Sequence, residues 1–99
     1  MGSASSIAIS GLAAAQLRLD ASSHNIANWQ TPNFRREEVT QRELPEGGVT
    51  ATIEQAESTV PKLNTDIVEQ IQAGYTFDAN LRTLRTEQDM LGTLIDLKA

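Results

Sequence analysis

The chain contains no cysteine, which excludes disulfides, thiolate nucleophiles and thiolate metal sites. Aromatic side chains are scarce: Trp29, Phe34, Tyr75 and Phe77 are all there are in 99 residues. So few rings do not fill a large globular core, so Leu, Ile, Ala and Val must pack, mostly on helix faces. Basic residues do not cluster beyond Arg35-Arg36, and the formal net charge is −5. Nucleic-acid binding is therefore disfavoured, because neutralising phosphates needs grouped Lys and Arg. No stretch reaches the roughly 18 apolar residues that a membrane-spanning helix needs. The opening MGSASSIAISGLAAAQLRL lacks the basic start and continuous apolar run of a cleaved secretory signal. The expectation is no membrane insertion, with the chain either staying in the cytoplasm or leaving it without a cleaved signal.

Catalytic chemistry is also short of candidates. His24 is the only histidine, flanked by Ser23 and Asn25, and reads as a polar residue near a helix end. Glu37-Glu38 and the Glu87/Asp89 pair sit in charged stretches, where carboxylates are solvated rather than poised for proton transfer. No serine lies in a G-x-S-x-G context, and Gly47-Gly48 lacks the flanks of a phosphate loop. No catalytic, cofactor or metal site is expected, and the chain reads as non-enzymatic.

What the chain does have is helical periodicity at both ends. From Asn64 to Leu97 there is no proline, and Ile67, Gln70, Gly74, Phe77, Leu81, Leu84, Gln88, Leu91 and Ile95 recur at alternating three- and four-residue steps. This is the seam of a helix about 50 Å long laid against another helix. Val68, Ile71 and Tyr75 flank the seam early, and Met90, Leu94 and Leu97 flank it late. So wide an apolar stripe exceeds what one partner helix covers, so further helices from other chains are expected to complete the burial. An N-terminal helix is predicted over 4–29, with its own seam at Ala8, Leu12, Ala15, Leu19, Ser22, Ile26 and Trp29. Trp29 is expected to cap the packed end, and Gly11 is a weak point in the helix.

Residues 30–63 differ in kind. Asn28 to Phe34 is a helix stop: Pro32 cannot continue a helix and pushes Thr31 towards extended geometry. Asn33 tolerates positive φ, and the amide of Asn28 is placed to hold the last helical carbonyls or the turn backbone. Two arms around Pro45-Glu46-Gly47-Gly48 predict a β-hairpin, the charged first arm also being readable as a loop or short helical piece. A connector marked by Pro61 leads to the long helix over 64–97. There Asp66 and Glu69 resemble a capping box, and Lys98 suits the helix dipole at the far end. Asn80, mid-helix beside Leu81, is either a surface polar residue or a register-fixing hydrogen bond between helices.

Two stretches together resemble the bacterial flagellar basal-body rod and hook family of axial proteins. The first, SGLAAAQLRLDASSHNIANWQTPNFRR, carries an elbow motif at Asn25, Ala27, Asn28, Thr31, Pro32 and Phe34. The second is the closing helix, with Asn64, Asp66, Glu69, Ala73, Phe77, Ala79-Asn80, Thr86 and Met90-Leu91-Gly92-Thr93-Leu94. Asn33 stands where the family usually has glycine and Trp29 where a smaller residue is usual. Only residues 36–63 stand in place of the sizeable β domains of distal members, so the chain resembles a short, proximal-rod-like member.

The resemblance implies a structural subunit of the basal-body rod. Its terminal helices would build a tubular axial structure with further copies and other rod proteins, after passage through the flagellar export apparatus without a cleaved signal. The alternative is a small helical adaptor or export chaperone that binds a flagellar or type III secreted partner. The expected fold is a single mainly α domain over 1–99: an antiparallel two-helix hairpin or coiled coil with a small β-hairpin or loop between the helices, completed by oligomerisation. The expected packing residues are Leu12, Leu19, Ile26, Phe77, Asn80, Leu81, Leu84, Leu91 and Leu94.

Overall fold

A computed structural model describes residues 4–98, without the side chains of residues 96–98. The roles expected of the Leu97 and Lys98 side chains, and anything at Met1 to Ser3, therefore lie outside the described residues. Four elements follow one another: α1 (Ala4–Ala27), β1 (Glu37–Glu43), β2 (Val49–Gln55) and α2 (Leu63–Lys98). The protein is mainly helical, with a small antiparallel hairpin between its two helices.

The helices run antiparallel. Asn25 of α1 meets Asp66 of α2 at one end and Gly11 faces Asn80 further along, while Ala4 shares a groove with Thr86 and Met90 at the other end. With 36 residues at 1.5 Å each, α2 is about 54 Å long, and it dictates the extents of 63 × 24 × 13 Å.

Among the described residues the buried apolar ones are all alanines: Ala8, Ala14, Ala15 and Ala21 of α1 and Ala73 of α2. Small side chains let the two backbones approach closely. Leu12, Leu19 and Ile26 of α1 and Phe77, Leu81 and Leu84 of α2 are half-buried along the flanks of this alanine seam. The expected α1 seam is thereby widened, because α1 has the hairpin packed on a second side. Trp29 does not cap the packed end. The helix stops at Ala27, and the turn carries the indole outward to 42% exposure.

On α2 the seam is displaced at its start. Asp66 and Ala73 are buried, whereas Ile67 is exposed. Burying Asp66 against Arg36 turns the first helical turns about one position, or roughly 100°, from the face that the apolar residues mark. The capping-box expectation fails for the same reason. The backbone N–H of Asp66 donates to Lys62 O at 3.0 Å, so Asp66 lies inside the first turn, and its carboxylate turns away to Arg36 and Asn25. Its negative charge still suits the helix start.

Gly74 proves to be neither a close contact nor a break. The helix runs through it, and a Cβ added there meets nothing within 4 Å. The close approach is at Gly11, where an added Cβ would lie 2.7 Å from the amide of Asn80. Asn80 bonds within its own helix rather than across to α1. Its Nδ2 donates to Thr76 O of its own helix at 2.9 Å, and it meets α1 by shape, its amide filling the space that glycine leaves.

The charged first arm is a strand. β1 and β2 pair from Glu37↔Gln55 to Glu43↔Val49, and the connecting turn uses Gly47 and Gly48 at φ 97° and 89°, where only glycine is unstrained. Absence of side chains matters here too, since an added Cβ would lie 2.9 Å from Ile7 Cδ1 at Gly47 and 2.8 Å from Ser10 Oγ at Gly48. Of the odd-numbered residues, which share the face towards α1, Glu37, Val39, Val49 and Ala51 are half-buried, while Glu38, Thr40, Arg42, Thr50, Thr52 and Glu54 form an exposed face. The hairpin thus leans on α1, as a two-stranded ribbon must to be stable in water.

Candidate functional site

The elbow is built by asparagines. At the end of α1 the backbone N–H of Asn28 donates to His24 O and Asn25 O, both at 3.2 Å, and its Nδ2 donates to His24 O at 2.9 Å. The side-chain oxygen of Asn28 accepts from Thr31 Oγ1 at 3.2 Å, while Thr31 N–H donates to Asn28 O at 2.9 Å. Pro32 follows, then Asn33 at φ 60°, the left-handed conformation that asparagine bears better than other side chains. The chain is thereby reversed. Phe34 comes back to meet His24 edge-on, with ring centroids 5.2 Å apart, and His24 Nε2 lies 3.3 Å from Glu37 Oε1.

Asn25 joins three elements. Its Nδ2 donates to Glu37 O at 2.8 Å, and its Oδ1 accepts from Glu37 N–H at 2.7 Å. A side-chain amide presents a donor and an acceptor as a peptide does, so Asn25 pairs with the start of β1 as one residue of a third strand would. The same Nδ2 reaches Asp66 Oδ1 at 3.2 Å. Asp66, 2% exposed, also receives the Arg36 guanidinium through both oxygens: Nε to Oδ2 at 3.0 Å and Nη2 to Oδ1. Arg36 is itself buried, and the hydrogen bond it donates to Asp66 holds its pKa above the ordinary value despite burial. Arg18 of α1 donates to Glu69, and Gln70 Nε2 to Ser23 Oγ at 2.9 Å. Polar groups buried this far need full partnership, and this cluster, beside a groove of about 290 Å³, supplies it. It ties the elbow, the hairpin and the start of α2 into one rigid corner. Its charges are mutually satisfied and offer no free base or nucleophile. Among the described residues no grouping of His, Asp or Glu is placed to hold a metal ion, and no helix is long and apolar enough to cross a membrane.

The other sequence-predicted residues divide by place. Ala27, Thr31 and Pro32 are exposed on the elbow and Phe34 is half-buried. Leu91 is 51% and Leu94 55% exposed. They lie where α2 runs past the first described turn of α1 and are exposed, as are Met90 and Ile95. Known families bear on this arrangement. Residues 6–35 match the family model described as flagella basal body rod protein. The match supports the flagellar rod family. It covers α1 from Ser6 onward and the whole elbow and stops one residue short of Arg36, so α2 lies outside it. The likeness is to a flagellar basal-body rod protein, and it is limited to this N-terminal stretch. No curated protein matches the chain significantly.

Sequence reasoning missed Arg36, the tie between Asn25 and Glu37, and the fit of Gly11 to Asn80. Arg36 carried a faint signal. A lone basic pair directly after a helix stop, in a chain with few cations, has an acid at position 66 of the facing helix start available to it. Gly11 carried none until the helices were set side by side.

Proposed function

We propose that the chain is a structural subunit of the flagellar basal-body rod that assembles through α1 and α2 into a tubular axial structure, with copies of itself and with other rod proteins. It would reach that place through the flagellar export apparatus. The observation that carries this reading is the apolar surface of α2, on a chain whose α1 and elbow match the rod family. That surface has two parts. Leu91 continues at a seven-residue step the stripe of Phe77 and Leu84 that faces α1, and with Met90, Leu94 and Ile95 it extends the seam beyond α1. Ile67, Val68, Ile71 and Tyr75 lie on the side of α2 turned away from α1, with Tyr75 73% exposed. At 100° per residue the two parts point in nearly opposite directions, which suits one neighbour along the axis and another beside it. The elbow motif of Asn25, Ala27, Asn28, Thr31, Pro32 and Phe34 would set the angle at which the chain leaves the helical wall.

Fractionation of the flagellated host tests this. The chain should co-purify with basal bodies outside the inner membrane, and Leu91→Asp with Leu94→Asp should abolish motility while the variant still accumulates. Retention of the wild-type chain in the cytoplasm, bound to an exported partner, would instead establish the adaptor reading.

A further inference from the structure

The two edges of the hairpin are protected unequally. Leu44 N–H bonds to Gly48 O and Ala56 N–H to Arg36 O, so even-numbered residues form the bonded pairs of this ladder. The backbone groups of odd-numbered residues therefore point outward from each edge. On β1 the outward groups of Glu37 are taken by Asn25, and Gln41 and Glu43 line a groove shared with Thr76 and Asn80 of α2. The strand also carries Glu37, Glu38, Arg42 and Glu43, the charges that discourage edge pairing. On β2, among the described residues, only Val49 N–H is occupied, donating to Ser10 Oγ at 3.1 Å. The backbone groups of Ala51 and Ile53 point out of this edge, with no charge between 49 and 53, no proline and no bulge.

We propose that the β2 edge is an interaction surface for the β2 strand of a second copy of this chain, paired antiparallel about a twofold axis at Thr52. One register overlaps all seven residues of the strand: Val49 opposite Gln55, Thr50 opposite Glu54, Ala51 opposite Ile53, and Thr52 opposite its own copy. It bonds outward group to outward group at Ala51 and Ile53. It also places no like charges together, whereas a shift that centres the axis on Glu54 would oppose two carboxylates. The axis stands perpendicular to the sheet, so both α1 helices lie on one face. Ile53, 43% exposed in the single chain, is then covered beside the small Ala51 of the second copy. The result is a four-stranded sheet of order β1-β2-β2-β1, the edge-addition mode of recognition. A twofold contact closes on itself, so it defines a dimer of the free chain, leaves both apolar parts of α2 open, and stands independently of the rod reading.

Because the chain has no cysteine, a single introduced thiol reports on the pairing. Thr52→Cys puts two thiols at a non-bonded antiparallel pair with Cα atoms about 4.5 Å apart, within disulfide reach. Thr40→Cys, on the same exposed face but on β1, puts them three strand spacings apart, about 14 Å. Mild oxidation of the full-length chain should give a covalent dimer from Thr52→Cys and at least tenfold less from Thr40→Cys. Thr52→Lys and Thr52→Glu should each raise the dimer dissociation constant at least tenfold in sedimentation equilibrium, and an equimolar mixture of the two should recover the wild-type value. Equal cross-linking at both positions, no cross-linking at Thr52→Cys, or failure of the mixture to recover association would each overturn the pairing.

Discussion

At the scale of single residues, the most consequential side chains are polar. Arg36 and Asp66 form a buried pair, and taking away one member leaves the other charge without its counterion. Arg36→Ala should cost about 3–5 kcal/mol in urea denaturation, a large share of what a chain of this size has. Arg36→Met combined with Asp66→Leu should cost much less, because both charges go and packing stays. If the single and double variants lose equal stability, the pair does not behave as a buried ion pair. Gly11 and Asn80 make a second residue-scale test. Gly11→Ala gains up to about 1 kcal/mol of helix propensity, yet it drives a methyl into the Asn80 amide and off its bond to Thr76. Overpacking of this kind costs about 1–3 kcal/mol, so the substitution should destabilise in the wild-type background. With Asn80→Ala already present the clash is gone, and the same substitution should stabilise. A change of sign between the two backgrounds is the expected result of the double-mutant cycle.

At the scale of elements, Gly74 and Asn25 separate what periodicity reveals from what it hides. Gly74 has open space around it and an unbroken helix through it, so Gly74→Ala should raise stability by about 0.4–1 kcal/mol, seen as a higher melting temperature. The existence of both helices, the hairpin and the stop at Asn28 was legible, because each rests on local chemistry: alanine-rich periodicity, paired glycines in a turn, an asparagine and a proline at a helix end. The facing of the helices was only partly legible. Apolar spacing pointed to Ile67 and Gly74, and the structure buries Asp66 and Ala73 instead, because a salt bridge between residues 30 apart in sequence outweighs the local pattern. Trp29 misled for a related reason, since periodicity extrapolates a helix past the point where Asn28 closes it. Asn25 was legible as part of a motif but not as the pseudo-strand partner of Glu37. Asn25→Ala should therefore leave helicity by circular dichroism nearly unchanged while the Glu37 amide loses most of its protection from hydrogen exchange. The expected stability cost is about 1–3 kcal/mol, because two backbone groups and a buried carboxylate each lose a partner.

At the scale of the whole molecule, the chain has more surface than it would keep as a lone globule. Its accessible area is 6982 Å², against about 5,500 Å² for a compact monomer of this mass. The radius of gyration is 17.3 Å, where about 13 Å is usual for the length. The excess of about 1,500 Å² amounts to roughly two standard partner faces of about 800 Å² each, in keeping with the two apolar parts of α2. Association through those faces binds the folded chain and not the unfolded one, so it must raise the unfolding temperature with concentration. Wild-type protein should accordingly unfold at a higher temperature when its concentration is raised a hundredfold. Leu91→Asp with Leu94→Asp should reduce that dependence to the part that β2 pairing contributes and leave the dilute unfolding temperature at the wild-type value, because both side chains are exposed in the single chain. Leu81→Asp with Leu84→Asp puts charge into the flank of the α1–α2 seam and should lower the unfolding temperature at every concentration. If the Leu91 and Leu94 pair of substitutions lowers the dilute unfolding temperature as far as the Leu81 and Leu84 pair does, the end of α2 is part of the fold of one chain rather than a surface for the next.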